Sequence, residues 1–204
     1  SYRACLASCH GARYQGYWDP RPEACETFGT GEPSFSSLEA LLEACDAVII
    51  AGTNQQHVPT ALAALSAKKH VLCEKPLAPT VADAEAICKA AEQSSSVLMT
   101  AFPCPYSPAF QKALLRVRNG EIGELRAVCA TNRGSFPGGW FVDPEHSGGG
   151  ALLDHTVHVA DLLRRLIGSE PTEVFSAVGN ELKQSAVEDT AMLTLKYPGG
   201  LFAT

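Results

Sequence analysis

The sequence predicts an α/β protein in two parts, a helix-covered parallel sheet followed by an α+β domain with a largely antiparallel sheet. Two observations lead there. Through residue 102, short apolar runs alternate with segments of helical period at a spacing that suits right-handed crossovers. Beyond Phe102-Pro103-Cys104-Pro105 the pattern changes to helices and longer alternating strands, because prolines exclude a central strand there. The boundary is therefore set between residues 1–102 and residues 103–204.

In the first part, Tyr14 to Trp18 reads as a strand ending at Asp19-Pro20. Leu38, Leu41, Leu42 and Cys45 share one helical face, and Ala47–Ala51 is an apolar run suited to a strand buried on both sides. Val58, Ala61, Leu62 and Leu65 form the next helical stripe, followed by a strand at His70–Cys73. Thr80 is placed to cap a helix whose face is Val81, Ala84, Ile87, Cys88 and Ala91, and a strand from Val97 to Phe102 closes the sheet.

In the second part a helix runs from about Pro108 to Asn119, with Gly120 placed to end it. A strand follows from Leu125 to about Asn132. Residues 134–150, rich in Gly and Pro, are too long for a plain connector and read as a functional loop. A helix spans Ala151 to Ile167 and stops at Gly168. Strands at Glu173–Asn180 and Thr190–Tyr197 precede the turn Pro198-Gly199-Gly200.

Composition narrows the function. The chain has 204 residues, 46% hydrophobic and 19% charged, which supports a packed core. A net charge of −6 argues against a nucleic-acid partner, and no apolar run approaches the length of a membrane helix. Eight cysteines include no CxxC pair, and the nearest cluster, Cys5, Cys9 and His10, lacks further ligands. Buried, reduced thiols in a cytoplasmic protein are expected, and no metal.

In an open parallel sheet, ligands bind outside the carboxyl ends of the strands. There the sequence places Asp19, then Gly52-Thr53-Asn54, then Glu74-Lys75-Pro76. Asp19 can accept bonds from adenosine ribose hydroxyls or serve as a turn residue. Arg21 could hold a 2′-phosphate, so NAD and NADP both remain open. Asn54 and His57 are either cofactor contacts or cap and first-turn residues of the following helix. Lys75 leaves a buried strand beside Glu74, where an ammonium can polarise a substrate oxygen, and Pro76 restrains the turn and can take a cis bond.

The second constellation is Gly148-Gly149-Gly150 leading into a helix that carries Asp154, His155 and His158. Glycines let the backbone pass close to a ligand. Asp154 and His158 lie four apart on one face, so a carboxylate orienting a proton-accepting imidazole is a workable base for alcohol oxidation. His155 falls on another face and reads as a packing residue.

These motifs resemble the Gfo/Idh/MocA family across nearly the whole chain. The resemblance is carried by Asp19-Pro20, Val48 to His57, His70 to Ala78, Asn119-Gly120-Glu121-Ile122-Gly123, and Gly148 to His158 continuing into Asp161-Leu162-Leu163. It implies a Rossmann-type first domain, NAD or NADP as cofactor, and hydride transfer to or from a hydroxyl-bearing carbon of a sugar or polyol. Lys75, Asp154 and His158 match the catalytic positions, with Lys75 also touching cofactor. Asp19, Asn54, His57 and Glu74 match cofactor-side positions, and Trp140 is a further candidate near the nicotinamide. A homo-oligomer through the second domain's sheet is also expected. The alternatives are a non-catalytic regulator of the same fold and an NAD-dependent glycoside-cleaving enzyme.

The chain departs from the family pattern at Gly52-Thr53-Asn54, where Thr-Pro-Asn is common, and at Pro105, where an Arg is frequent. By that pattern a Gly-x-Gly-x-x-Gly turn and its strand stand upstream of Ser1, and Thr204 falls within a strand. The resemblance thus implies truncation at both ends, with little or no nicotinamide binding expected of residues 1–204 alone.

Overall fold

The computed structural model describes residues 2–28, 31–135 and 137–204, apart from the side chains of Glu26 and Thr27. Three helices come first: α1 (Tyr2–Ala7), α2 (Pro22–Phe28) and α3 (Leu38–Ala44). Ser37 caps α3 by accepting the Ala40 N–H. Then β1 (Ala47–Ile50), α4 (Asn54–Ser66), β2 (His70–Cys73), α5 (Val81–Ser94) and β3 (Leu98–Thr100) alternate. The three strands form one parallel sheet in the order β1-β2-β3, with Val48 opposite Val71 and Cys73 opposite Thr100.

The helical stripes read from the sequence face this sheet, except that Val81 and Cys88 of the α5 stripe are exposed. Leu42, Val48, Ile50, Ala61, Leu65, Val71, Cys73 and Ile87 are buried together as the first core. Thr80 caps α5 by accepting the Asp83 N–H at 3.1 Å.

Tyr14–Trp18 is a correction. Among the described residues that segment does not join the parallel sheet and makes a single parallel bridge, Tyr17 to Ser34. Tyr17 bonds the Pro33 carbonyl and the Phe35 N–H. Pro33 has no N–H to extend the ladder, and Gly16, at φ +145°, packs against the Pro33 carbonyl.

The second part holds α6 (Pro108–Arg118), β4 (Ala127–Val128), α7 (Pro144–Ser147), α8 (Ala151–Ile167), β5 (Glu173–Gly179), β6 (Thr190–Lys196) and β7 (Phe202–Ala203). Its sheet runs β4-β7-β6-β5, with β5, β6 and β7 antiparallel and β4 parallel to β7. The expected strand at Leu125–Asn132 is laddered over Ala127–Val128, against Phe202–Ala203 of β7. Gly120, at φ +71°, ends α6: its N–H reaches Val117 and the next N–H reaches Arg116, the paired bonds of a left-handed helix stop. Leu163, Tyr197 and Ala203 form the second core, where α8 covers the inner face of the sheet.

The cysteines also depart from expectation. All eight are free, but only Cys73 is buried; Cys5, Cys9, Cys88 and Cys129 are exposed. The helices that carry Cys5 and Cys88 turn those positions to solvent, which an apolar side chain alone does not forbid.

Candidate functional site

The site forms where the carboxyl end of β2 meets the start of α8. Glu74, Lys75 and Pro76 follow β2 directly, and the Lys75–Pro76 peptide bond is cis. Lys75 Nζ contacts Asp154 Oδ1 and lies 3.3 Å from the Asp154 carbonyl oxygen. Both side chains are mostly shielded from solvent. A lysine and an aspartate 79 residues apart, one from each half, therefore share a partly buried ion pair.

His158 stands one turn further along α8. Its Nδ1 faces Cys104 Sγ at 4.0 Å, and its ring meets Phe102 edge to face at 6.1 Å. Burial, then the Lys75 ammonium, push the His158 imidazole below its ordinary value, and the Asp154 charge offsets this only in part. A neutral imidazole at neutral pH is the form that can accept a proton.

The expected Asp154–His158 hydrogen bond is a correction. Asp154 gives one oxygen to Lys75 and its other lies 3.7 Å from His155 Nε2. Helical spacing permits an i, i+4 contact, but a full ammonium competes better for a carboxylate than a neutral ring does. His155, as a packing residue, faces Gly134, where an added Cβ would sit 2.4 Å from the ring.

Around this centre, Glu74 accepts a hydrogen bond from Tyr2 Oη at 2.6 Å and one from the Lys75 N–H at 3.2 Å. Burial, then the bond to Glu74, push the Tyr2 phenol well above its usual range. This ties α1 to the β2 turn, and the Arg3–Glu32 ion pair at 3.0 Å ties α1 to the segment that pairs with Tyr17.

Asn54 and His57 turn inward. Asn54, 4% exposed, donates from Nδ2 to the Ser147 carbonyl at 2.8 Å, joining α4 to α7. His57, 1% exposed, bonds the Pro76 carbonyl through Nδ1 at 2.8 Å, and burial holds its imidazole below the ordinary value. His57 braces the turn that carries Lys75, Asn54 joins α4 to α7, and neither side chain stands open to a ligand.

Asp19 accepts the Arg21 N–H at 2.9 Å and the Arg21 Nε–H at 3.1 Å. Burial pushes its carboxyl up, but the Arg21 bonds and charge prevail and hold it below the usual range. An ionised carboxylate beside an exposed guanidinium has the chemistry for a ribose diol through Asp19 or a 2′-phosphate through Arg21. These groups fit a nicotinamide dinucleotide. Trp140, in a 3-10 turn over Gly139–Val142, stacks on Phe141 at 3.8 Å.

The three glycines have packing roles. A Cβ on Gly148 would sit 2.6 Å from Pro79 Cβ, and one on Gly150 would sit 2.0 Å from the Glu188 carbonyl oxygen. Ser147, Cys104, Phe102 and Glu188 were not singled out from the sequence. The Ser147 and Glu188 contacts bridge 93 and 38 residues, beyond any local periodicity.

Comparison with known proteins gives two family matches. Residues 1–102 match the family described as "Oxidoreductase family, NAD-binding Rossmann fold", and residues 110–204 match the GFO/IDH/MocA C-terminal domain. Myo-inositol 2-dehydrogenase of Thermotoga maritima is 32% identical over 76% of this chain and 47% of its own length. 1,5-Anhydro-D-fructose reductase of Ensifer adhaerens is 34% identical over 83% of this chain and 53% of its own. The crystal structure of aldose-aldose oxidoreductase from Caulobacter crescentus complexed with glycerol superposes with a TM-score of 0.85 at 29% identity, over 97% of this chain and 63% of that one. The chain spans about half the length of the curated relatives it matches.

Proposed function

Because the chain belongs to the GFO/IDH/MocA oxidoreductase family, we propose that the protein is an NAD(P)-dependent oxidoreductase of sugars or polyols. It moves a hydride between nicotinamide and a hydroxyl-bearing carbon. The observation that carries this is the meeting of Lys75 and Asp154 beside a half-buried, neutral-leaning His158 at the end of the parallel sheet. The names of the relatives, an inositol dehydrogenase and an anhydrofructose reductase, support the substrate class. Residues 1–102 serve the dinucleotide and 103–204 the substrate.

The roles follow from the chemistry. Lys75, held by Asp154, donates a hydrogen bond to the reacting oxygen and stabilises charge developing there. His158 has its Nδ1 turned to Cys104, which leaves Nε2 to take the hydroxyl proton during oxidation. When bound, nicotinamide supplies the acceptor for the hydride leaving the carbon. Asp19, with Glu74 and the backbone of the Gly52–Thr53 turn, holds the dinucleotide. His57 acts by fixing the Lys75 turn, and Asn54 by joining α4 to α7.

The outward face of β5 and β6, with Phe175 and Met192 exposed at 68% and 77%, supports pairing with a second copy of the chain. Among the described residues no helix is long and apolar enough to cross a membrane. A cytoplasmic location suits both nicotinamide chemistry and free thiols.

The test is nicotinamide reduction by the full-length protein with inositols, aldoses and anhydro-sugars, offered with NAD and with NADP. Substrate-dependent NADH or NADPH formation is expected. Cofactor binding without turnover on any member would favour a regulator and overturn the enzymatic reading.

A further inference from the structure

Helix α8 begins without a cap of its own. Gly150, at its N-cap position, has no side chain to accept the free N–H groups of the first turn. Three N–H groups at this end are instead met by one residue from outside the helix. Glu188 Oε1 accepts the Gly150 N–H at 2.8 Å and the Leu152 N–H at 3.0 Å, and the Glu188 carbonyl accepts the Ala151 N–H at 2.8 Å. Glu188 sits just before β6, so the first turn of α8 is bolted to the sheet of the second part. A carboxylate at this end also opposes the positive pole of the helix.

The consequence reaches the site. Asp154 lies one turn into α8, its N–H bonded to the Gly150 carbonyl, and its carboxylate meets Lys75 from the other half. Movement of the helix start along its axis moves Asp154 relative to Lys75. Two glycines leave room for this arrangement alone, with Gly150 pressed on Glu188 and Gly148 on Pro79 of the first part.

We propose that Glu188 is a positioning residue for the site, holding Asp154 against Lys75 by capping α8 from the sheet. This rests on the reading of Lys75, Asp154 and His158 as one site, but its test needs no turnover. In the full-length protein, Glu188→Ala, Glu188→Asp and Glu188→Gln are compared with wild type in two measurements. Hydrogen exchange reads the amides of residues 150–155, and brief treatment with acetic anhydride reads the reactivity of the Lys75 amine against that of Lys89.

Glu188→Ala should speed exchange at the helix start and raise Lys75 acetylation several-fold relative to Lys89, because the amine loses its carboxylate partner. Glu188→Asp, one methylene too short to reach both amides, should do the same to a lesser degree and decides the matter if the alanine variant does not fold. Glu188→Gln keeps an oxygen acceptor and should stay close to wild type. Faster exchange with unchanged Lys75 labelling would reduce Glu188 to a local cap and overturn the proposal, as would wild-type behaviour in both. Absence of polyol turnover in the wild-type protein would sink the enzymatic reading while leaving this result standing.

Discussion

Replacing Gly150 by alanine asks what the glycine run is for. The new Cβ would lie 2.0 Å from the Glu188 carbonyl oxygen and 2.9 Å from that residue's N and C atoms, all backbone. Relief to ordinary contact needs a retreat of roughly 1.5 Å. Such a shift breaks or stretches three hydrogen bonds: Ala151 N–H to the Glu188 carbonyl, and Gly150 and Leu152 N–H to its carboxylate. At about 1 kcal/mol for a neutral bond and more for a charged one, with water recovering part, the loss is about 2–4 kcal/mol. Across a chain of 204 residues that lowers the melting midpoint by about 4–16 °C. Gly168→Ala is the control, since nothing lies within 4 Å of its Cβ and only the left-handed φ of +77° opposes the change. It should cost about 1–2 kcal/mol. Differential scanning calorimetry of both variants decides. A Gly150→Ala midpoint at or above that of Gly168→Ala would refute the packing argument.

Four further outcomes are expected. Asn54→Ala leaves the buried Ser147 carbonyl without its donor and should lower stability by about 1–3 kcal/mol in urea titration. The His158 imidazole, followed by NMR, should titrate below 6.5 and move upward in Lys75→Gln, because that variant removes the nearby positive charge. His57 and His158 are both depressed in the folded state, so the unfolded chain takes up protons first as pH falls. Stability from these groups is complete above about 6.5 and drains away as pH drops toward their folded values. With a thiol reagent, Cys5, Cys9, Cys88 and Cys129 should react in the native protein. Cys73, buried and with its thiol pushed up to about 12, should react only on unfolding.

The elements most legible in the sequence were those whose pattern is set locally. β1 and β2 are short apolar runs, although only their Val48, Ile50, Val71 and Cys73 face is fully buried where both faces were expected to be, and α5, α6 and α8 carry their own caps or glycine stops. Tyr14–Trp18 misled because its composition suits a strand, while its pairing depended on Pro33, a residue that cannot continue a ladder. At the site, the family resemblance implied that Lys75, Asp154 and His158 act together, but neither it nor the spacing gave their bonds. An i, i+4 rule says which side chains share a helix face; it does not know that an ammonium arrives from 79 residues away to claim Asp154. The same blindness hid Glu188, since the donors it satisfies belong to another element.

The chemistry proposed for Lys75, Asp154 and His158 is tested most directly by turnover of single and paired variants in the full-length protein, read as NADH absorbance with whichever inositol, aldose or anhydro-sugar of the panel gives turnover in wild type. His158→Ala and Lys75→Ala should each lower kcat by roughly a hundredfold or more, with the KM for nicotinamide much less affected. Since Asp154 meets Lys75 rather than His158, Lys75→Ala with Asp154→Asn should cost clearly less than the sum of the two singles. Wild-type turnover in His158→Ala would contradict the account, because no proton acceptor would then be required at that position.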